Sequence, residues 1–263
     1  MIIDSHAHVV LPIEKHIEMM DTSGIDKTVL FSTLVHPEKS NNYKEFTTEM
    51  NKLNQILNNE VNPLEARLNA LEELSVAIKQ HPDRFVGFGS VPLSYSPDDP
   101  SLNEWVEKLV KEQNMKGLGE FTLGTGQINL LEPIFKAASD YKSLPIWVHT
   151  FHPLNLKDIQ ELFLLTQKYE NVPVIYGHMG GIYWLQTIEM IKETKNAYLD
   201  ISAFYTTYAL SLAIKEIPQR TLFSSDFPYG DPYLNLQAVK RHTSSREVAD
   251  RVLGGNISKL LNI

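Results

Sequence analysis

The feature that most constrains the fold of this chain is a repeated alternation of short apolar, β-prone runs with longer helical stretches. Eight such runs occur, and their largely apolar composition is expected of strands buried on both faces of a parallel sheet. The predicted strands are Ile2–Ser5, Thr28–Thr33, Phe85–Val91, Gly117–Glu120, Pro145–His149, Val172–Gly177, Ala197–Ile201 and Thr221–Ser225.

Helical patterns occupy most of the sequence between these strands. The predicted helices are Pro12–Thr22, Leu64–Gln80, Leu102–Lys111, Leu131–Tyr141, Leu156–Tyr169, Tyr183–Glu193 and Thr207–Glu216. Eight alternating units over 263 residues predict an α/β fold, a closed (β/α)8 TIM barrel that forms one domain over residues 1–263. A doubly wound open sheet is the alternative, but no Gly-rich phosphate loop follows the first strand.

One segment departs from this alternation. An additional helix, Asn42–Asn59, is inserted between the second and third strands, so the barrel has a helical insertion around residues 42–60. Insertions after barrel strands usually lie at the catalytic mouth, which predicts a lid or an oligomer contact. A solvated surface helix is the simpler interpretation.

Composition restricts the partners and the metal chemistry. Lys and Arg number 24 and Asp and Glu number 32, a net charge of -8 that disfavours binding to nucleic acid or to an anionic membrane. The chain has no cysteine, so a bound metal must be held by imidazole and carboxylate groups. Neither a signal-peptide pattern nor an apolar run of about 20 residues is found, and we expect a cytoplasmic protein.

A pair of histidines closes the first predicted strand. His6 and His8 are two residues apart, so their side chains face the same side of the strand and can chelate one divalent ion. The pair alone is also compatible with two capping or surface histidines, because short motifs arise by chance.

Polar side chains at the ends of four later strands strengthen the metal hypothesis. Each of these strands is an apolar run that closes on a residue able to bind a metal, and the carboxyl ends of barrel strands meet on one face. These residues are Glu120, His149, His178 and Asp226. We therefore predict a metal site built from His6, His8, Glu120, His149, His178 and Asp226.

The mixture of imidazoles and carboxylates suits zinc first, with manganese or iron as alternatives. A metal lowers the pKa of bound water, and Asp226 is the candidate to take the remaining proton. Glu120 could bridge two ions, which would make the site binuclear. Without that bridge, His178 is the candidate acid/base rather than a ligand.

These residues resemble the pattern of the amidohydrolase superfamily. That pattern is an aspartate-x-His-x-His opening, histidines that end strands five and six, and an aspartate that ends strand eight. The matching residues are Asp4, His6, His8, His149, His178 and Asp226.

Three further segments resemble the branch called amidohydrolase 2, or amidohydrolase-related, proteins. Residues 176–181 (YGHMGG) are similar to its His-x-Gly-Gly segment, and residues 225–229 (SDFPY) to its Ser-Asp-aromatic-Pro segment. Residues 253–257 (LGGNI) are similar to its closing Gly-x-Asn motif. The resemblance covers the chain from end to end.

The resemblance implies one of two activities. Some members hydrolyse amides, esters or lactones, and others are non-oxidative decarboxylases similar to aminocarboxymuconate semialdehyde decarboxylase. The decarboxylase pattern implies one metal on the equivalents of His6, His8, His149 and Asp226, with His178 as acid/base. Glu120 instead resembles the fourth-strand glutamate of TatD-type hydrolases, which join it to a two-metal site.

We therefore expect a hydrolase that attacks a C–N or C–O bond of a small molecule, with the decarboxylase as the alternative. No arginine stands next to the predicted ligands, and Arg67, Arg84 and Arg220 are not expected near them. The missing anion clamp also favours hydrolysis. A homodimer is compatible with this architecture, and a non-catalytic metal-binding barrel is disfavoured because every strand-end position is filled.

Secondary candidates surround the predicted site. His36, His152, Phe151 and Tyr229 could contact the substrate, and Phe121 could line the pocket or simply pack. Asp4 is expected to orient one of the ligands or to cap its strand. The remaining histidines are expected on the surface, and they are His16, His81 and His242.

Overall fold

The structure of the protein, a computed structural model, describes residues 1–57, 64–93, 100–141 and 143–263. Its sheet contains eight parallel strands that pair in chain order. They are β1 Ile3–His8, β2 Lys27–Phe31, β3 Phe85–Gly89, β4 Gly117–Phe121, β5 Ile146–His149, β6 Val174–Gly177, β7 Ala197–Asp200 and β8 Thr221–Leu222.

The first and last strands meet through the chain that follows β8. Ser5 N donates to Phe223 O at 2.9 Å, and Asp226 N donates to His6 O at 2.8 Å. These hydrogen bonds bring the two edges of the sheet together. The predicted (β/α)8 barrel is therefore confirmed.

Helices surround the sheet. They are α1 Ile13–Ser23, α2 Tyr43–Leu57, α3 Leu64–Gln80, α4 Pro100–Glu107, α5 Glu132–Asp140, α6 Leu156–Lys168, α7 Trp184–Lys192, α8 Thr207–Glu216, α9 Pro232–His242, α10 Arg246–Asp250 and α11 Asn256–Leu261. Short 3-10 or π segments adjoin several of them, at 37–39, 108–112, 128–131, 178–183 and 251–255. None of the helices in the described ranges is long and apolar enough to cross a membrane.

The first and last strands differ most from their predicted bounds. β1 continues to His8, so both histidines lie within the strand rather than after it. β8 ends at Leu222 instead of Ser225. The physical reason is that the chain after Leu222 turns toward β1, where Ser225 N donates to Asp4 Oδ1 at 2.9 Å instead of continuing the ladder with β7.

The sequence interpretation assigned no helix after Glu216, yet α9, α10 and α11 follow there. Local signals for α9 are present, because Asp231 Oδ1 accepts a hydrogen bond from Leu234 N and Pro232 occupies the first helical turn. α11 packs at the amino-terminal end of the barrel, where Asn256 Nδ2 donates to Thr221 O at 2.7 Å.

A separate apolar cluster fills the inside of the barrel. Its strand residues are Ile3, Val29, Phe31, Val86, Phe88, Trp147, Ile175 and Leu222, and Ile257 and Leu261 of α11 join them. Burial of each large apolar side chain stabilises the fold by about 1.5–3 kcal/mol. Trp147 is the member of this cluster that contacts the site, and its ring centroid lies 4.2 Å from that of His6.

Gly177 is needed for this arrangement. A Cβ at this position would lie 2.0 Å from the Trp147 ring, far closer than two carbon atoms can approach. The last residue of β6 must therefore be glycine for Trp147 to remain below the site.

Candidate metal centre

The carboxyl ends of the strands bring together all six side chains predicted to bind metal. They form two groups. In the first group, His8 Nε2 lies 3.3 Å from Asp226 Oδ1, and His6 Nε2 lies 3.7 Å from the same oxygen. β1 supplies both histidines, and the turn after β8 supplies the aspartate. These three side chains could hold a metal ion.

The second group consists of Glu120 on β4, His149 at the end of β5 and His178 after β6. Glu120 Oε1 lies 2.8 Å from His149 Nδ1 and 3.6 Å from His178 Nε2. The two imidazoles also meet, with His178 Nε2 and His149 Nδ1 3.1 Å apart. This group could hold a second ion.

Glu120 faces both groups at once. While its Oε1 contacts His149, its Oε2 lies 3.5 Å from His8 Nε2 and 3.7 Å from His6 Nε2. One oxygen of this carboxylate therefore lies toward each group, and Glu120 could serve as a ligand to an ion in either of them.

Buried atoms without partners indicate that the first group fits a metal. Both ring nitrogens of His6 and Nδ1 of His8 are buried, and none has a hydrogen-bond partner among the described residues. A buried polar group left unsatisfied costs about 1–3 kcal/mol. Imidazole nitrogens and carboxylate oxygens are the donors that zinc, manganese and iron accept, so this set fits a divalent ion.

The backbone of His152 fixes the orientation of the His149 ring. Its Nε2 lies 2.9 Å from the carbonyl oxygen of His152, which can only accept, so Nε2 carries a hydrogen and Nδ1 faces Glu120. His152 therefore contacts the site through its backbone, and its side chain lines the adjoining cavity.

Asp4 joins the two edges of the barrel beneath the first group. Its Oδ1 accepts hydrogen bonds from His6 N at 3.2 Å and Ser225 N at 2.9 Å, and its Oδ2 contacts Ser225 Oγ. The expectation that Asp4 orients a ligand agrees with these contacts. Burial raises the pKa of this carboxyl to about 7, although the hydrogen bonds from Ser225 oppose the rise.

Asp200 is a site residue that the sequence interpretation missed. It ends β7, is fully buried, and places Oδ2 3.6 Å from His6 Nδ1. His6, His178 and Asp200 form a third group that could hold an ion. The signal was present in the sequence, since the run 197–200 (AYLD) closes on a carboxylate as the other strands do.

The backbone is strained where His178 and Asp226 leave their strands. Their φ angles are 58° and 61°, in the left-handed region that costs a non-glycine residue about 1 kcal/mol or more. Gly181, in the segment after His178, also has a positive φ, and a Cβ there would lie 2.4 Å from the Phe151 ring. This geometry aims both functional side chains across the mouth of the barrel.

Burial and the neighbouring charges shift the pKa values of the site residues in opposite directions. Burial would raise the pKa of Glu120, but His149, His178 and His6 hold it well below its usual value. Burial also opposes ionisation of Asp226, yet His6, His8 and His178 lower its pKa. For His178, burial opposes protonation, but Glu120, Asp226 and Asp200 raise its pKa to about 8. The same carboxylates raise the pKa of His6.

A cavity of about 340 Å³ opens above the two groups. Its lining includes His8, Glu120, His149, His178 and Asp226. Its size is typical of a site for a small organic molecule.

Arg67 also lines this cavity, so the expectation that it lies away from the site was wrong. Its guanidinium Nη1 donates to Ser90 Oγ at 3.0 Å, beyond the end of β3. Arg67 lies on α3 rather than at the end of a strand. Its position relative to the cavity depends on tertiary packing, which the local sequence does not indicate. Arg84 and Arg220 do lie elsewhere, where they bind backbone carbonyls near the amino-terminal ends of the strands.

Helix α2 forms another part of the cavity wall. Leu53 and Ile56 of this helix line the cavity, and Glu49 Oε2 accepts a hydrogen bond from His36 N at 2.9 Å. α2 lies within the segment 42–60, and residues 58–63 lie outside the described part of the chain. This helix is therefore more than a solvated surface helix.

Other secondary candidates divide between the cavity and the core. Phe151 and Tyr229 line the cavity, whereas Phe121 is buried in the apolar core. His36 binds Glu38 through Nδ1 at 3.0 Å and lines a smaller neighbouring cavity.

His16 was wrongly expected on the surface. It is fully buried, with its ring centroid 5.3 Å from that of Phe85 and 5.1 Å from that of Phe227. Burial lowers its pKa to about 3, so the ring is neutral near neutral pH. The reason is its place on the buried stripe of α1, between Ile13 and Met20.

Solved structures with the same fold include several enzymes. At 15% identity and a TM-score of 0.70, 5-carboxyvanillate decarboxylase LigW from Sphingomonas paucimobilis matches over 100% of this chain and 99% of its own. The 2,6-dihydroxybenzoate decarboxylase from Rhizobium gives 15% identity and a TM-score of 0.68, covering 99% of this chain and 98% of its own.

A dihydroxybenzoic acid decarboxylase from Polaromonas sp. JS666, with bound manganese and 2-nitroresorcinol, gives 18% identity and a TM-score of 0.67. It covers 99% of this chain and 96% of its own. A search of curated proteins gives no match. The family described as amidohydrolase (Amidohydro_2) matches residues 3–263, and this chain therefore belongs to the amidohydrolase family.

Proposed function

We propose that this protein catalyses the metal-dependent, non-oxidative decarboxylation of a small aromatic or unsaturated carboxylic acid. The observation that carries the proposal is the position of Arg67 in the same cavity as Glu120, His178 and Asp226. A guanidinium group binds a carboxylate through paired, charge-assisted hydrogen bonds. The sequence favoured hydrolysis partly because no arginine was expected near the site to bind a substrate carboxylate. Arg67 lines the cavity, so this reason no longer applies.

Three of the similar structures agree with this reaction. They are decarboxylases of 5-carboxyvanillate and of dihydroxybenzoates, and one of them holds manganese. At 15–18% identity they support the reaction class and leave the substrate of this chain to be found by experiment. For the metal, we propose manganese or zinc.

In this reaction, different residues of the site would bind the metal ion and the substrate. His6, His8 and Asp226 would hold the ion, which when bound would polarise a substrate oxygen and stabilise developing negative charge. Arg67 would bind a substrate carboxylate and orient the ring or double bond over the site.

His178 would supply the proton that decarboxylation consumes. The C–C bond to the departing carboxylate breaks, its electron pair stays on the substrate carbon, and carbon dioxide leaves. Nε2 of His178 then donates its proton to that carbon. The raised pKa of this imidazole keeps it protonated near neutral pH before the metal binds.

Glu120 favours a second candidate function, the hydrolysis of an amide, ester or lactone. With Oε1 2.8 Å from His149 Nδ1 and Oε2 3.5 Å from His8 Nε2, this carboxylate could join two ions, as the TatD-like interpretation expects. Two ions can position a water molecule and polarise the bond that it attacks.

The decisive experiment measures both reactions with one preparation. Protein reconstituted with Mn²⁺ or Zn²⁺ is incubated with hydroxybenzoates and unsaturated diacids, and separately with amides, esters and lactones, in ¹⁸O-labelled water. We expect carbon dioxide release, with a solvent hydrogen on the product carbon and no ¹⁸O in the organic product. Turnover only in the second set, with ¹⁸O incorporated, would replace the proposal with the hydrolase.

Metal stoichiometry tests the role of Glu120 separately. If Glu120 joins two ions, Glu120→Gln should reduce the bound metal from two equivalents toward one, as measured by elemental analysis. The matched control is Glu132→Gln on α5, which removes a surface partner of Lys168. A single equivalent in both wild type and variant would support the one-metal decarboxylase site.

A further inference from the structure

Asp200 lies behind both groups of side chains. Its Oδ1 accepts hydrogen bonds from His178 N at 3.1 Å and Ser202 N at 2.9 Å. Its Oδ2 is buried, has no hydrogen-bond partner within the described part of the chain, and lies 3.6 Å from His6 Nδ1. One carboxylate thus binds the backbone of His178 and lies beside the imidazole of His6.

The hydroxyl of Ser202 transmits the effect of Asp200 to His178. Ser202 Oγ lies 2.5 Å from Asp200 Oδ1 and 2.8 Å from His178 Nδ1. Because an ionised carboxylate oxygen can only accept, the serine hydroxyl donates its only hydrogen to Asp200 Oδ1. Ser202 Oγ can then only accept from His178, so Nδ1 of the ring carries a hydrogen.

This chain of hydrogen bonds decides which nitrogen His178 presents to the site. When the ring is neutral and Nδ1 carries the hydrogen, the lone pair is on Nε2. Nε2 is the atom that lies 3.1 Å from His149 Nδ1 and 3.6 Å from Glu120 Oε1. It is therefore the atom available to bind a metal or to exchange a proton.

His6 faces Asp200 directly but at a longer distance, since its Nδ1 lies 3.6 Å from Asp200 Oδ2 and no hydrogen bond is formed. Its Nδ1 faces Asp200 Oδ2, while its Nε2 lies 3.7 Å from both Asp226 Oδ1 and Glu120 Oε2. A hydrogen on Nδ1 would point at the unpartnered carboxylate oxygen and leave the Nε2 lone pair toward the metal group. Histidines that bind metals commonly donate their other N–H to a carboxylate in this way.

We propose that Asp200, acting directly on His6 and through Ser202 on His178, is the positioning residue that keeps the hydrogen on Nδ1 of both rings. Both Nε2 atoms then face the cavity as metal ligands or proton carriers. The proposal deepens the proposed function and rests on it only for the chemistry that these two atoms perform.

Two substitutions separate the two halves of this proposal. Ser202→Ala removes the acceptor of His178 Nδ1–H and leaves Asp200 opposite His6. Asp200→Asn keeps Oδ1 for its three donors but replaces Oδ2 with an amide nitrogen, which donates to His6 Nδ1 and forces the ring hydrogen onto Nε2. Ser202→Thr retains the hydroxyl and should restore the wild-type state.

The first measurement needs no activity. Long-range ¹H–¹⁵N correlation spectra of the metal-free protein at alkaline pH report which ring nitrogen carries the hydrogen, with His6 and His178 assigned from their Gln variants. Wild type should show Nδ1–H in both rings. Ser202→Ala should lose this preference only in His178, and Asp200→Asn should reverse it only in His6.

The second measurement is titration with Zn²⁺ alone, followed by calorimetry. Ser202→Ala and Asp200→Asn should each bind the ion about 10- to 100-fold more weakly, the usual effect of losing such a supporting partner, whereas Ser202→Thr should bind it as wild type does. Ser224→Ala is the matched control, because it deletes another buried hydroxyl, one that follows β8 and whose hydrogen bond within the described residues is to the Leu222 carbonyl. It should bind zinc as wild type does.

The proposal is overturned if Ser202→Ala keeps His178 as Nδ1–H, or if Asp200→Asn keeps His6 as Nδ1–H. Failure of Ser202→Thr to restore zinc affinity, with correct folding, would also count against it. These outcomes are independent of the reaction: altered tautomers without carbon dioxide release from any acid would refute the proposed function and leave the positioning role intact.

Discussion

The two ends of the barrel differ in how several of their buried polar atoms are satisfied. At the amino-terminal end, Asn196 Nδ2 donates to three backbone carbonyls at 2.8–3.1 Å, and Asn256 Nδ2 donates to two at 2.7 Å. Arg220 likewise binds two carbonyls there. These side chains join the starts of strands to neighbouring loops and helices.

At the carboxyl-terminal end, polar atoms are buried without such partners. Both ring nitrogens of His6, Nδ1 of His8 and Oδ2 of Asp200 have no hydrogen bond within the described ranges. Each such atom costs stability until a ligand or a proton satisfies it. The comparison teaches that one end stabilises the fold, while the other keeps atoms available for binding, at the expense of stability.

The largest effect that this comparison predicts is loss of activity without loss of fold. Asp226→Asn removes a charged group that contacts His6 and His8 and would hold the ion, so kcat should fall by about 10²- to 10³-fold, as when other groups that stabilise developing charge are lost. The Tm of the metal-free protein should change by less than about 4 °C, equivalent to ~1 kcal/mol. Differential scanning fluorimetry and steady-state kinetics measure both. A large drop in Tm with activity retained would break the comparison.

The next effect concerns the substrate. Arg67→Met should lower kcat/KM by about 10- to 100-fold through KM, because a charge-assisted hydrogen bond contributes ~1.5–3 kcal/mol. Arg84→Met is the matched control at the opposite end, where Arg84 binds Asp21 and two carbonyls. It should leave KM unchanged. Equal kinetic effects of the two substitutions would show that Arg67 does not bind the substrate.

The amino-terminal end should show the converse result. Asn196→Ala removes a hydrogen-bond donor from three carbonyls, of which Tyr169 O still accepts from Val172 N. This change should destabilise the protein by about 1–3 kcal/mol and lower Tm by several degrees. Its kcat and KM, measured below the transition, should equal those of wild type. Impaired kinetics in a folded Asn196→Ala protein would contradict the division between the two ends.

The smallest effect is a pH dependence that originates at the carboxyl-terminal end. The pKa of His178 is raised to about 8 from 6.5. The stabilisation that protonated His178 gives to the folded state is therefore fully present below pH 6.5 and is lost as the pH rises through 8. Asp4, with its pKa raised to about 7, acts in the same direction. The metal-free protein should therefore be less stable at alkaline pH, by about 2 kcal/mol from His178.

Urea unfolding of chelator-treated protein below pH 6.5 and above pH 8 measures this loss of stability at alkaline pH. The difference between the two pH values should be smaller in His178→Gln. Glu120 and Asp226 have lowered pKa values, so their contributions are lost only as the pH falls into the acid range. Stability that rises between neutral and alkaline pH would contradict the charge assignment of the site.

The fold and the six candidate ligands could be predicted from sequence because their signals are local. Apolar runs of strand length recur along the chain, and a metal-competent residue closes several of them. The barrel then brings these ends together without further information. The same local signal would have identified Asp200, which ends β7 in the same manner.

Arg67 could not be placed in this way, because its position depends on how α2 and α3 fold back over the mouth of the barrel. No strand fixes the side chain, and the spacing of α3 alone does not show what its partly buried face contacts. His16 is a different case. Its spacing from Ile13 and Met20 indicates a buried helix face, and the polarity of its ring obscured that signal.

The contribution of α2 and α3 to the cavity has a consequence for how such an enzyme can diversify. The strands and the turns that follow them supply the candidate metal-binding side chains. Leu53 and Ile56 come from α2, within the insertion, and Arg67 comes from the next helix, α3. Recognition and reactivity are therefore encoded in different stretches of the gene. Exchange of the stretch from α2 to α3 between relatives could change the shape and charge of the cavity while the candidate metal-binding residues below it are retained.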